Sequence, residues 1–173
     1  MKRIVRTLAL CAAAAVLVPL VAGCAAASVS PEPARTADAG FAGYKWTVVA
    51  IAHDGTTTAI PARYSVFLMF TPSGQFIANE PVNTHGGTYR VTSGGFVTSD
   101  IAMTLVGYVG HDPIVLLAQN AIGSFSTVAR ATASVAGNRL TVVVGDYTLT
   151  CQRDGKAANI SQAGPSASAG ATG

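Results

Sequence analysis

The sequence predicts an α+β fold, in which a curved or partly closed antiparallel β-sheet packs against one α-helix. Two observations lead to this prediction. Short β-rich segments recur through residues 41–156, separated by turns rich in Gly, Pro, Asn and Asp. A single segment, residues 112–129, instead carries apolar residues at helical spacing. Because most strands follow one another without intervening helices, we expect them to pair antiparallel.

Tight turns separate the strand segments. Asp54-Gly55 ends the first segment, and Thr-Pro-Ser-Gly (71–74) lies between the second and the third. The last three segments are joined by Ala-Gly-Asn and Gly-Asp. These residue types supply the backbone conformations that tight turns require. In chain order, the predicted extended segments are 44–53, 63–70, 75–79, 88–91, 96–107, 131–135, 139–144 and 147–153.

Residues 112–129 predict the helix. Asp112 suits the N-cap and Pro113 the first helical position. Gly123 costs about 1 kcal/mol relative to alanine within a helix, so we expect a kink or an early end there. The apolar residues at helical spacing, expected to face the sheet as core, are Ile114, Leu117, Ala118, Ala121, Ile122, Phe125, Val128 and Ala129.

The N-terminus resembles an export signal. Residues 1–6 are basic, and residues 7–23 are mostly apolar and end in small residues before Cys24. Leu-Val-Ala-Gly-Cys (20–24) resembles the bacterial lipobox, in which the cysteine is acylated and the chain is cut before it. We therefore predict a lipoprotein signal peptide at 1–23 and a lipid on Cys24. Ordinary signal-peptide cleavage nearby is the alternative.

Composition divides the remaining chain into three parts. Residues 24–40 are rich in Ala, Ser and Pro and predict a flexible tether, and residues 157–173 predict a disordered tail. The folded domain is therefore expected at 41–156. It contains one cysteine, Cys151, so no disulfide is expected within it. In its alternating strand pattern Cys151 is expected to be buried, with a reactive thiol as the alternative.

Charge argues against nucleic-acid binding. Three of the eleven Lys and Arg residues lie within residues 1–6, so the rest of the chain carries eight basic and eight acidic residues. A nucleic-acid-binding domain needs a basic face to meet phosphates. We therefore expect no nucleic-acid partner.

The stretch PVNTHGGTYRV (81–91) is the candidate site. His85-Gly86-Gly87 is compatible with an oxyanion-binding segment, but the Gly-x-Ser-x-Gly pattern that accompanies such segments in esterases is missing. The three histidines of the chain are far apart and match no metal-binding pattern. We therefore expect no catalytic residue, no metal and no cofactor.

Several of these segments match a family pattern. Residues 64–91 and 138–153, with a Trp opening the first strand, resemble the META domain, also called the HslJ-like domain. The resemblance spans residues 44–153. The matching residues, for which it implies structural roles, are Trp46, Phe70, Gly74, Asn83, Gly87 and Tyr89, with Met103 and Thr104 in the next strand.

The resemblance implies a META-like fold, and bacterial members are often small exported lipoproteins with roles around stress or envelope integrity. The family commonly has a Cys before the Asn of the motif and another after the Met/Thr strand. Val82 and residues 106–108 stand at those places here, and Asp112 is the acid nearest to the family's Glu at the helix start. No redox role is therefore expected.

Within 81–91, the residue types favour a structural loop. Asn83 tolerates left-handed dihedral angles, the two glycines permit positive φ or close approach, and Tyr89 is expected to begin the next strand and bury its ring. A ligand-contacting loop is the alternative, with Glu80 as a second polar anchor. The residues of that possible ligand loop are Asn79, Glu80, Asn83 and His85.

The predicted function is a non-catalytic, lipid-anchored META-like module on the extracytoplasmic side of the cell membrane. Its expected partners are the membrane, through the N-terminal lipid, and an unknown small ligand or envelope protein. The module itself is expected to be a monomer. Two alternatives remain open: a small secreted hydrolase that uses His85, and an inhibitor of a secreted enzyme that presents loop 79–88.

Overall fold

The computed structural model describes residues 39–128 and 130–158. The predicted signal peptide, Cys24, the tether up to residue 38 and the tail from residue 159 lie outside the described residues. The elements in the described part are β1 (Tyr44–His53), β2 (Thr56–Ala59), a 3-10 turn (Ala62–Tyr64), β3 (Phe67–Phe70), β4 (Gln75–Asn79), β5 (Thr84–Thr92), β6 (Gly95–Met103), α1 (Pro113–Thr127), β7 (Arg130–Ala136), β8 (Arg139–Val144) and β9 (Tyr147–Lys156).

Eight of these strands form a closed antiparallel barrel. The order around the barrel is β1-β3-β4-β5-β6-β7-β8-β9, and β9 pairs back onto β1. Strand β3 pairs with the first part of β1, up to Thr47, and β2 pairs with the last part, from Ala50 to His53. The predicted antiparallel sheet with one packed helix is confirmed, and the sheet closes fully. We call the end where β1 and β6 finish the upper end, and the end where the chain enters at Tyr44 the lower end.

Strands β6 and β7 pair over a short length, as β1 and β3 do. Among the described residues, Gly95, Phe96 and Val97 of β6 pair with β7. The helix α1 lies between the two strands in the chain. The Thr98 hydroxyl donates to the Phe125 carbonyl over 3.2 Å, which attaches the end of the helix to β6.

Aromatic rings fill the barrel interior. Trp46, Phe70, Phe76, Phe96 and Phe125 are fully buried or nearly so. The ring centroids of Phe70 and Phe96 lie 4.9 Å apart, and those of Phe76 and Phe125 lie 5.1 Å apart. Burial of each such side chain contributes about 1.5–3 kcal/mol, and offset or edge-on ring pairs add to it. The interior is therefore a packed core.

The helix begins where the sequence predicts. Asp112 is the N-cap, and its Oδ1 accepts the Ile114 N–H over 2.9 Å. The expected kink or early end at Gly123 is wrong, because the helix continues to Thr127. Packing of the surrounding apolar face offsets the poor helix propensity of glycine. The buried helix residues are Val115, which the predicted face lacks, and Ala118, Ala121, Ile122 and Phe125.

Two expectations about the strands are wrong. Strand β2 was not predicted, and it forms because Asp54 and Gly55 both adopt positive φ and turn the chain back onto β1. The predicted strand at 63–70 begins only at Phe67. The upper part of β1 is already paired with β2, and Ser65, at φ 51°, redirects the chain after the 3-10 turn.

Cys151 is a fully buried residue of β9, as expected. Burial raises the pKa of its thiol to about 12, so the thiolate is not formed at neutral pH. It is the free cysteine of the part of the chain that the structure describes. Within that part, no helix has the length and apolarity needed to cross a membrane.

Candidate functional site

The upper end of the barrel joins the β4–β5 turn to the segment that follows β6. The link is the buried side chain of Asn83. Its Oδ1 accepts the Val106 N–H over 2.8 Å and the Thr104 hydroxyl over 3.0 Å. Its Nδ2 donates to the Val106 carbonyl over 3.2 Å. The amide thus pairs with Val106 as a neighbouring strand would, and holds residues 104–106 beside the turn.

Glu80 closes the same turn. It is 3% exposed, and its Oε2 accepts the Val82 N–H over 2.7 Å. The Glu80 N–H donates to the Asn83 carbonyl over 3.0 Å. The structure therefore uses Glu80 as an anchor of the turn.

Asn79 lies on the other side of the turn and faces a different neighbour. Its Nδ2 donates to the Ser65 carbonyl over 2.9 Å, and its Oδ1 accepts the Thr84 hydroxyl over 2.8 Å. Asn79 thus connects the ends of β4 and β5 to the segment before β3. Of the four predicted ligand-loop residues, the turn assembles Glu80 and Asn83, whereas Asn79 has separate partners.

His85 is buried beneath the turn and is only 2% exposed. Burial lowers its pKa, and the nearby Glu80 carboxylate opposes that shift only in part. Its Nδ1 has no hydrogen-bond partner, and the structure gives His85 no hydrogen bond to a Ser, Thr or Cys side chain in the described part of the chain. The arrangement is that of a neutral imidazole without a nucleophile to activate.

The expectation of a loop at 81–91 is wrong for most of its length. Residues from Thr84 onward belong to β5, and Tyr89 lies inside that strand instead of beginning it. The Tyr89 ring is buried as expected, its hydroxyl donates to the Thr71 carbonyl over 2.8 Å, and burial raises its pKa to about 12. Asn83 does not adopt the expected left-handed conformation.

The two glycines of this stretch differ. Neither Gly86 nor Gly87 has a positive φ. A Cβ on Gly87 would lie 2.6 Å from both the Ile101 Cδ1 and the Ser99 carbonyl, so close approach explains this glycine. A Cβ on Gly86 would meet nothing within 4 Å. Close packing against β6 therefore requires glycine at position 87 but not at position 86.

The remaining motif residues also have structural surroundings. Gly74 has φ 85° in the β3–β4 turn, and its carbonyl accepts the Tyr89 N–H over 2.8 Å. The Trp46 indole N–H donates to the Phe41 carbonyl over 2.9 Å. Phe70 contacts Phe41 and other rings of the core. These contacts agree with the structural roles that the resemblance implies.

The most exposed apolar surface of the described chain was not predicted from the sequence. The predicted strand 96–107 ends at Met103, and the chain then runs to the helix without regular structure. Leu105 is 85% exposed and Val109 is 95% exposed, and Met103 and Val106 are also exposed. The available signal was a run without charge from Ile101 to Gly110. We call residues 101–110 the apolar segment.

A shallow cleft of about 390 Å³ lies on the outer face of β4 and β5. Gly86 leaves this space open, and Ile77, Thr88 and Asp100 are among the residues that line it. The Gln75 Oε1 atom, also at the cleft, has no hydrogen-bond partner. The volume is at the lower end of the range for ligand pockets. Within the described residues, no group of three or more potential metal ligands is clustered.

Comparison with known proteins supports the fold. No protein-family model matches the chain, and no curated protein does. The NMR structure of a protein from Burkholderia xenovorans is similar to it, with a TM-score of 0.53 and 18% identity over 79% of this chain and 98% of the other. A second NMR structure gives a TM-score of 0.52 and 14% identity over 65% of this chain and 91% of the other. At these identities the likeness shows the β-rich fold alone.

Proposed function

We propose that this chain is a lipid-anchored, extracytoplasmic META-like module that binds another macromolecule through its apolar segment and catalyses no reaction. The lipobox-like sequence before Cys24 supports the anchor. The barrel with one helix, and the structural surroundings of Trp46, Phe70 and Gly74, support the META-like assignment.

The apolar segment carries the binding proposal. Soluble monomers rarely expose contiguous large apolar side chains unless those side chains meet a partner. Leu105 and Val109 are almost fully exposed, and the Asn83 amide holds the backbone beside them at Val106. A segment fixed in this way loses little conformational entropy on binding, which favours affinity.

The surroundings of His85 support a module without catalysis. A general base must reach the proton that it removes, and His85 is buried with no hydroxyl or thiol bonded to it. The inhibitor alternative loses its support as well. In the stretch 79–88 only Thr84 and Thr88 are exposed, so this stretch does not project as an inhibitory loop would.

The membrane anchor is tested by Cys24→Ser in the full-length chain. Removing the acyl acceptor should move the protein from the membrane fraction to the soluble fraction, because stable anchoring by lipid depends on two or more acyl chains. Membrane and soluble fractions are compared by immunoblot. Retention of the variant in the membrane fraction would show that the anchor is not a lipid on Cys24.

The binding role is tested by Leu105→Ser combined with Val109→Ser. The control is Val143→Ser, which removes an exposed apolar side chain from β8, a strand that is paired on both sides. Each form is cross-linked in intact cells and purified. A partner captured by the unmodified chain and the control, and lost from the double variant, supports the proposal. Equal recovery with all three forms would contradict it.

A further inference from the structure

The upper half of β6 is an exposed sheet edge. Strand β5 covers one side of it over the whole length, but β7 covers the other side only as far as Val97. Ser99, Asp100, Ala102 and Met103 are all exposed. The helix reaches β6 at Thr98, below these residues. An additional strand could therefore approach β6 from this side.

The direction of the backbone groups follows from the pairing with β5. The Thr104 N–H donates to the Thr84 carbonyl over 3.1 Å. Hydrogen-bonded and non-hydrogen-bonded pairs alternate along antiparallel strands, so Ala102 is bonded to β5 and Met103 is not. The N–H and C=O groups of Ile101 and Met103 consequently point away from β5. The structure gives them no hydrogen-bond partner among the described residues.

This edge lacks most of the usual protection. Natural edge strands carry Lys, Pro or other residues that prevent pairing with a further chain. The apolar segment contains none of these, and its first six residues, Ile-Ala-Met-Thr-Leu-Val, have the composition of a strand that pairs readily. The protection present is one charged residue, Asp100, at φ 55°, and the irregularity in register that lies opposite Gly87.

We propose that a second copy of this chain pairs with the edge, β6 against β6, antiparallel across a two-fold axis at Ala102. Ile101 of each copy then lies opposite Met103 of the other and exchanges both backbone hydrogen bonds with it. The four outward-directed groups that lack partners in one copy are satisfied by the other. This dimer replaces the monomer expected from the sequence.

Charge favours a second copy as the occupant. A two-fold interface brings each segment against its own counterpart, so a charged segment would repel itself. Residues 101–110 carry no charge, and in this register Asp100 lies opposite Thr104 of the second copy and not opposite the other Asp100. Ile101 and Met103 of both copies share one face of the new strand pair, where their side chains are in contact.

The test is a disulfide at the axis, formed by Ala102→Cys in the purified full-length chain under a mild oxidant. In a non-hydrogen-bonded antiparallel pair the Cα atoms are about 4.5 Å apart, within the range that a disulfide spans. We expect a covalent dimer on a non-reducing gel. Cys151 is buried, and the other native cysteines are common to all variants. Val143→Cys, on a strand paired on both sides, is the matched control.

A second substitution tests the backbone pairing. Met103→Pro removes an N–H that points away from β5, so the barrel should keep its melting temperature while the new strand pair is lost. Adding it to Ala102→Cys should abolish the covalent dimer. The inference is overturned if Ala102→Cys dimerises no more than the control, if the dimer survives Met103→Pro, or if the introduced thiol cross-links only to a different protein. The proposed binding function is tested separately, by capture of an envelope partner, so a failure of the dimer can be told apart from a failure of that function.

Discussion

The β9–β1 and β6–β7 junctions show how differently one barrel can close. Strands β9 and β1 pair from Tyr44 opposite Lys156 to Ala52 opposite Thr148, whereas the described residues of β6 and β7 pair only from Gly95 to Val97. The long junction contains two register shifts, and pairing resumes after each of them. At the short junction the end of the helix contacts β6 through the Thr98–Phe125 hydrogen bond, and Ala102 and Met103, nearer the upper end, are exposed.

The two junctions also differ in their side-chain contacts. The Arg153 guanidinium lies 4.2 Å from the ring centroid of Tyr44 and 4.9 Å from that of Trp46, across the β9–β1 junction. Lys45 and Asp154 form an ion pair at 2.9 Å on the same junction, which adds little because both side chains are partly exposed. The β6–β7 junction depends instead on close backbone packing and on the rings of Phe96 and Phe125.

The largest effect is expected from Gly95→Ala. A Cβ at this position would collide with the Ala131 carbonyl and would lie 2.7 Å from the Thr132 Cα, so β7 would have to move away from β6. Because Gly95 is one of the three described residues of β6 that pair with β7, the free energy of unfolding should fall by about 3 kcal/mol or more. Urea unfolding of the purified protein measures the loss.

Two other strand glycines are the controls for Gly95. Gly87→Ala meets the Ile101 side chain and the Ser99 carbonyl, and should cost about 1–3 kcal/mol. Gly86→Ala meets nothing within 4 Å and should be neutral, or stabilising by up to about 1 kcal/mol. Equal losses for Gly95→Ala and Gly86→Ala would mean that the β6–β7 junction is not held by close approach.

A smaller and more local effect is expected from Asn83→Ala. The substitution removes the hydrogen bonds that hold Thr104 and Val106, just after β6, beside the β4–β5 turn. The expected loss is about 1–3 kcal/mol, with faster hydrogen exchange at the Val106 amide. Asn79→Ala, which affects the Ser65 side of the turn, should leave that amide unchanged. Unchanged Val106 exchange in the Asn83 variant would show that the amide does not hold the apolar segment.

The sequence was informative where structure depends on local chemistry. The Asp112 cap, Pro113 and the apolar spacing that follows place the helix start correctly, because each acts within a few residues. The last three strands, 130–136, 139–144 and 147–156, also lie where alternation and turn residues predict them. These features require no knowledge of distant neighbours.

The errors occur where distant partners decide the structure. His85-Gly86-Gly87 has poor strand propensity, but β4 and β6 pair with it on both sides and make it part of β5. Asn83 is needed for Val106, a residue 23 positions away, and not for an unusual backbone conformation of its own. The short β6–β7 pairing depends on where a strand 33 or more residues away along the chain meets β6, so local sequence pattern does not predict it.

The smallest effect is the pH dependence that His85 brings to the upper end. In the unfolded chain its pKa is close to 6.5, and burial lowers it in the folded protein. Between these two pKa values the unfolded chain binds more protons than the folded protein, so the free energy of unfolding rises with pH. The contribution of neutral His85 to stability is complete above about pH 6.5 and is lost as the pH falls towards the folded pKa. His85→Gln stays neutral and should lose less stability than the unmodified chain between about pH 8 and about pH 5. The remaining residues are the same in both forms, so their contributions cancel in the difference of unfolding free energies. A difference that does not change with pH would mean that His85 is protonated at no cost, and that the upper end of the barrel admits water to it.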